Sequence, residues 1–275
     1  MRDLAAILAV ALLSASCGGT GPTHAYTVTS SPAAPILMVS QSGGFVTIEF
    51  HLKSSPLFAL YGDGRVIVSD PNAGSSSKVM PDLRQFQLTP AQIQTLLAAA
   101  DADGLLGPDR RYQTVGTNDA GDTSFTTVAD GGAHKISVYA LEYSSEYPIG
   151  DASDQAAVAR LLDFYGKITD LPKFLGGAVS DQPYQPAEMR VYARQIAAAN
   201  GNTAAGAPKW PLAVDLSSGL DVGSGLRCVV LGGSDVQTFT RAAADEGDPT
   251  TWSTSTGSFD LFARPLYPDE HGCSA

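Results

Sequence analysis

One turn constrains this chain more than any other feature. Gly62-Asp63-Gly64 separates two short apolar runs, Leu57-Phe58-Ala59-Leu60-Tyr61 and Arg65-Val66-Ile67-Val68. Asp-Gly supplies the positive φ angles of a tight hairpin, so the two runs are expected to pair antiparallel. The same arrangement recurs at Asp130-Gly131-Gly132, between residues 123–129 and 134–141. Phe45-Val46-Thr47-Ile48-Glu49-Phe50-His51-Leu52 alternates in the manner of a further half-buried strand. Helical spacing appears at Ile93, Leu96, Leu97 and Ala100, with Thr89 placed as N-cap, Pro90 at the first helical position and Gly104 just past the end. A second helix is expected over residues 153–168, with Val158, Leu161, Leu162, Tyr165 and Ile168 on one face and Leu171-Pro172 ending it. A Gly, Ser and Pro-rich stretch at 176–184 reads as a boundary. Beyond it, residues 188–196 alternate as a strand, with helix as the competing reading. Residues 226–231 form a strand, 234–244 a helix capped by Ser234, and 258–264 a closing strand. The fold class is therefore α+β: antiparallel sheets with packed helices, in two subdomains at 45–176 and 177–275.

The first residues give an address. Leu4 to Leu13 is a run of ten apolar residues followed by Ser14-Ala15-Ser16-Cys17. Crossing a bilayer takes about 20 apolar residues, so this run is read as a signal peptide over residues 1–16 and not as a permanent anchor. The cut site resembles the lipobox of bacterial lipoproteins, in which small residues precede a cysteine that becomes the lipid-bearing first residue. That resemblance makes Cys17 the lipid attachment site, exposed on the outer face of the cell membrane. Ser14 and Ser16 also satisfy the small-x-small rule of ordinary cleavage, so plain secretion is the alternative. Residues 17–44, rich in Gly, Ser, Thr, Pro and Ala, read as lipid attachment and flexible linker, ending in a strand at most at Ile36-Leu37-Met38-Val39. A linker of that length reaches roughly 25–30 Å.

Cysteine parity agrees with this address. The chain holds three cysteines, and assigning Cys17 to lipid leaves Cys228 and Cys273 as an even pair, which in an exported protein is expected to be a disulfide. Metal binding is the weaker reading, because these thiols lie far apart in sequence with no C-x-x-C and no paired histidines. The net charge of −11 argues against nucleic acid as a partner. No block of Lys and Arg draws the chain to anionic lipid, so membrane contact is expected through the acyl anchor alone.

Motifs for chemistry are sparse. His24, His51, His134 and His271 are isolated, with no H-E-x-x-H, no Walker motif and no G-x-G-x-x-G. Gly223-Ser224-Gly225 lacks the G-x-S-x-G pattern and reads as loop. Asp101-Ala102-Asp103-Gly104 with Asp109 faintly resembles a calcium loop, but Gly104 falls at the fourth place and Tyr112 stands where the glutamate belongs. Gly232-Gly233-Ser234-Asp235 reads as a capped helix start in preference to an anion site. Neither a catalytic nor a cofactor or metal constellation is expected.

Several short strings are familiar together: residues 60–66, Gly104-Leu105-Leu106, Trp210-Pro211-Leu212, Arg227-Cys228, and residues 264–270 before Cys273. They resemble a group of uncharacterised bacterial exported lipoproteins of actinomycete type. The resemblance implies an address and no mechanism. The leading expectation is a membrane-anchored, non-enzymatic protein binding an envelope protein or ligand. The first alternative is an envelope hydrolase assembled from scattered residues such as His51, His134, Asp119 and Asp122, which requires a cleft where a histidine meets a carboxylate and a nucleophile. The second is an inhibitor of an extracellular enzyme, which requires an exposed aromatic patch.

Overall fold

The computed structural model describes residues 24–69, 78–114, 116–147, 149–176, 179–196 and 206–273, and structural statements below concern these residues. The class is α+β, with two open, mostly antiparallel sheets. At the centre of the larger, eight-stranded sheet lies the first strand, β1 (Pro35–Gly43). On one side it pairs with β2 (Phe58–Tyr61), followed by β3 (Arg65–Ser69), β4 (Leu83–Gln87) and the edge strand β8 (Ser180–Pro183). On the other side stand β6 (Gly121–Ala129), β7 (Gly132–Tyr139) and β5 (Arg110–Gln113), the last pairing parallel. Both Asp-Gly hairpins are present, β2 with β3 and β6 with β7.

Strand alternation divides the side chains of this sheet between two cores. Leu37, Val39, Phe58, Leu60 and Val66 pack with α2 (Pro90–Ala102) and α3 (Ala152–Thr169). Helix α2 begins in a full capping box of Thr89 and Gln92 and buries Ile93, Leu96, Leu97 and Ala100. On the opposite face, Ala59, Tyr61, Ile67 and Leu83 pack with Tyr184 and Tyr267.

The second sheet runs in the order β10 (Leu220–Gly223), β11 (Leu226–Gly232), β9 (Glu188–Ile196), β13 (Gly257–Pro265) and β12 (Thr251–Thr254). One face packs Val191, Leu231 and Leu261 against Phe239 of α5 (Ser234–Asp245) and Trp252. The other, with Tyr192, Leu226, Cys228 and Phe262, is covered by Leu52 and Cys273. Cys228 and Cys273 are bonded, their Cα atoms 5.9 Å apart. The chain's last residues join the sheets: the hydroxyl of Tyr61 donates to Asp269 (2.5 Å), that of Tyr184 to the Leu266 carbonyl (2.8 Å) and that of Tyr267 to the Pro56 carbonyl (2.8 Å). Burial pushes the Tyr184 phenol up to about 12 and the Tyr61 phenol higher still, with Asp269 adding to the latter.

Four expectations are corrected. Residues 24–44 are not linker, because β1 is the central strand and Tyr26 is 8 % exposed, its backbone N–H and carbonyl both bonded to Gln94. Residues 48–53 are α1 (Ile48–Lys53), not strand: Thr47 accepts the Phe50 N–H as N-cap, and Leu52 finds its apolar partners on the second sheet. The boundary at 176/177 cuts the larger sheet, since β8 pairs with β4 and Val79 lies in the second core. Helix α3 does stop at Thr169, just ahead of Leu171-Pro172, and Pro172 then sits in the first turn of a short separate helix, α4 (Leu171–Leu175), where a missing N–H costs nothing. Finally, Ser234 is not the cap of α5. That place is held by Gly233, whose φ of 56° carries the turn and whose N–H donates to the Ala187 carbonyl.

Candidate functional site

The end of the larger sheet where β1 and β7 finish and β6 begins is built largely of backbone that only a few residue types tolerate. Gly43 and Gly44 carry φ of 80° and 83°, and a Cβ on Gly44 would stand 3.4 Å from the Asp119 carbonyl. This lets the chain fold back so that the Phe45 N–H donates to that same carbonyl at 3.0 Å. Asp119 and Ala140 also have positive φ, 60° and 57°. Ala140 is fixed by its N–H on the Gly121 carbonyl (2.8 Å), and it turns β7 into a short 3-10 segment, Leu141–Tyr143.

The result is an open cleft of about 220 Å³ between the 43–46 turn, the start of α1 and the loops around Asp119 and Glu142. Its carboxylates are Asp119 and Glu142, and its lining contains no Lys or Arg. Glu142 accepts from the Gln41 amide (3.2 Å) and the Tyr165 hydroxyl (3.4 Å). Part of the lining is exposed apolar surface: Phe45 is 91 % exposed, and Val46 and Tyr143 are exposed as well. Small-molecule pockets are typically roughly 300–1,000 Å³ and well enclosed. This cleft is smaller and open, so it suits one or two side chains presented by a larger body. A second cavity, of about 390 Å³, lies between α3 and the start of β2, lined by Leu57, Phe58, Val68, Tyr165 and Ile168 with Asp82 and Arg84 at its mouth. Arg84 is already paired with Asp181.

The candidates named from sequence separate here. His51 and Asp119 come together as part of the cleft lining. Asp122 instead pairs with Arg111 at 3.0 Å, and His134 lies toward the far end of β7, its Nδ1 2.9 Å from the Gly107 carbonyl. His24 bonds Asp130 at 2.7 Å, and His271 faces Glu188 at 3.3 Å. The oxygens that resembled a calcium loop are occupied: Asp101 accepts from Tyr26, Asp103 from Lys167, and Asp109 from the Lys135 N–H. Burial, helped by Asp101, pushes the Tyr26 phenol up to about 12. Among the described residues, no group of three or more His, Cys, Asp or Glu side chains is placed to hold a metal ion. Gly223-Ser224-Gly225 is the turn between β10 and β11. Cys17 lies outside the described residues.

Phe45, Val46, Tyr143 and Glu142 are not discoverable as a site by sequence reasoning. Phe45 and Val46 look like the two faces of a strand, and nothing local announces that the turn at Gly43-Gly44 throws both outward. No helix among the described residues is long and apolar enough to cross a membrane. Comparison with known proteins returned no matching family model, no similar curated protein and no matching solved structure.

Proposed function

We propose that this chain is an exported lipoprotein, tethered through Cys17 to the outer face of the cell membrane, whose body is a binding protein. The apolar rim of the cleft is the observation that carries the binding role. Phe45 at 91 % exposure, with Val46 and Tyr143 exposed in the same cleft lining, is surface that gains by being covered. Aromatic anchors beside a small pocket are the composition that dominates binding energy in protein interfaces. The address is supported by the apolar leader before Cys17 and by a disulfide of the kind that persists in oxidising compartments. Its test is fractionation with mass analysis. Wild-type chain should sediment with membranes and carry acyl mass on Cys17, and Cys17→Ala should move to the soluble exported fraction. A soluble wild type with an unmodified N-terminus sinks the address.

A second reading, hydrolysis, is favoured by His51 and Asp119 sharing the cleft. Among the described residues, however, His51 makes no hydrogen bond to a carboxylate, and its ring packs edge-on against Phe50 at 6.0 Å. Turnover of an activated ester such as p-nitrophenyl acetate that is abolished in His51→Ala would favour this reading over binding.

A further inference from the structure

The corrected start of the folded body changes what the tether can do. Between Cys17 and His24 there are seven residue steps, which span at most about 24 Å whatever their conformation. The point where the chain joins the body is fixed on the turn between β6 and β7. His24 bonds the Asp130 carboxylate at 2.7 Å, the Thr27 N–H donates to it at 2.7 Å, and the Asp130 N–H donates to the Thr27 carbonyl at 2.8 Å. The cleft lies at the other end of the same strand, beside Gly121. Nine steps of about 3.3 Å separate Gly121 from Asp130, so roughly 30 Å lie between tether point and cleft. A tether of at most about 24 Å cannot raise Asp130 far enough to set the cleft end-on against the bilayer.

We infer that the cleft is a docking site, not set end-on against the membrane, for a segment of another polypeptide that presents an apolar side chain flanked by Lys or Arg. The inference rests on the lipid-tether reading for its orientation. Its chemistry rests on the site itself. The apolar rim calls for an apolar side chain, and a volume of about 220 Å³ admits one or two of them. The lining supplies Asp119 and Glu142 with no Lys or Arg to offset them, on a chain of net charge −11, so the complementary segment is cationic. Anionic lipid as the occupant is disfavoured by the two carboxylates and the absence of Lys and Arg in the lining.

Two measurements on the chain beginning at Cys17 decide it. In the first, Cys17, the one thiol outside the disulfide, is coupled to a maleimide lipid in vesicles of phosphatidylethanolamine and phosphatidylglycerol that contain a headgroup-nitroxide lipid. Emission gained in Ala133→Trp, near the tether point, should be quenched, and emission gained in Phe45→Trp should not. Quenching at position 45 makes the bilayer the occupant and overturns the inference. In the second, the untethered chain is titrated calorimetrically with acetyl-Lys-Trp-Lys-amide and acetyl-Glu-Trp-Glu-amide. The cationic peptide should bind at least about tenfold more tightly, with Asp119→Asn and Glu142→Gln each weakening it about two- to fivefold, the range of an exposed ion pair. Equal affinity for both peptides, no binding of either, or indifference to both substitutions overturns the docking. Absence of acyl mass on Cys17 in the exported protein would refute the tether reading alone, because both measurements supply their own attachment or need none.

Discussion

Removing the disulfide between Cys228 and Cys273 should destabilise the fold while leaving its native shape in place. The bond closes a loop of 45 residues that contains α5, β12 and β13. In the chain-entropy account, opening a loop of that length releases the unfolded state by about 4 kcal/mol. The native state loses less, because the last residues are also held by other contacts. Tyr267 is 1 % exposed, Asp269 accepts from Tyr61, Glu270 pairs with Arg264, and the Gly272 carbonyl accepts from Arg190 at 2.8 Å. The loss should therefore fall on the equilibrium and not on the folded spectrum. Equilibrium urea unfolding of the oxidised chain and of Cys228→Ala/Cys273→Ala, followed by tryptophan emission from buried Trp252 and by far-ultraviolet dichroism, measures it. The expected outcome is a drop of about 3–4 kcal/mol with coincident folded baselines. A drop under about 1 kcal/mol would refute the reasoning, as would a variant that is already unfolded without denaturant.

Gly62→Ala should destabilise by more than the roughly 1–3 kcal/mol of ordinary overpacking, because the new Cβ would stand 2.2 Å from the Thr29 carbonyl and 2.8 Å from the Ser31 N; thermal unfolding reads it. The carboxyl of Asp130 is held below the usual range by its bond to His24 and then by the Thr27 N–H, so the anchoring it gives is present above the ordinary aspartate value and lost as pH falls through the depressed one. Protection of the Thr27 amide, taken relative to its intrinsic exchange rate at each pH, should accordingly be high at neutral pH and lost in strong acid, and absent at both in Asp130→Ala; equal protection in wild type and variant at neutral pH would remove the basis for fixing residues 24–27 on the turn between β6 and β7. Phe45→Ser should change stability by under about 0.5 kcal/mol, as expected of a side chain 91 % exposed, and a larger loss in urea unfolding would mean that the rim is structural.

Sequence reached the elements whose signals are local. The capping of α2 by Thr89, the two Asp-Gly hairpins and the alternation of β9 each depend on neighbours within a few positions, and each is present. The pairing of Cys228 with Cys273 followed from parity and compartment, which act at any separation. Elements decided by distant partners were missed. The sequence from Phe45 alternates well enough for a strand, yet Leu52 is wanted by Tyr192, Leu226 and Phe262, more than a hundred residues away, and a single helical turn delivers it. A signal was present in Thr47, a good N-cap ahead of Glu49 in the first turn and Lys53 in the last, and the alternation outweighed it. Residues 24–34 look like tether because Ser, Thr, Pro and Ala dominate them; their place is set by backbone bonds to Gln94 and Asp130, which composition does not report.

The cleft owes its shape to backbone more than to packing. Of the non-glycine residues with positive φ, Asp130, Ser224 and Asp248 occupy turns outside the cleft, while Asp119 and Ala140 line it together with Gly43 and Gly44. Asp tolerates the left-handed region through its own short polar side chain, but Ala has no such help, and holding it there costs roughly 1–2 kcal/mol. The cost is met by two hydrogen bonds, from the Ala140 N–H to Gly121 and from the Tyr143 N–H to Ala140 at 3.0 Å, and by burial of the methyl group at 3 % exposure. What the bend achieves is to turn Glu142 and Tyr143 out of the line of β7 and into the cleft. A glycine at 140 would relieve the strain at the cost of a freer unfolded chain, so the local conformation is enforced by its surroundings and does not depend on the rim. Phe45, by contrast, buries almost nothing and supports no neighbour in the core. A backbone strained to hold a cleft open, next to an aromatic side chain that stability does not need, is the combination expected where surface is kept for something outside the molecule to cover.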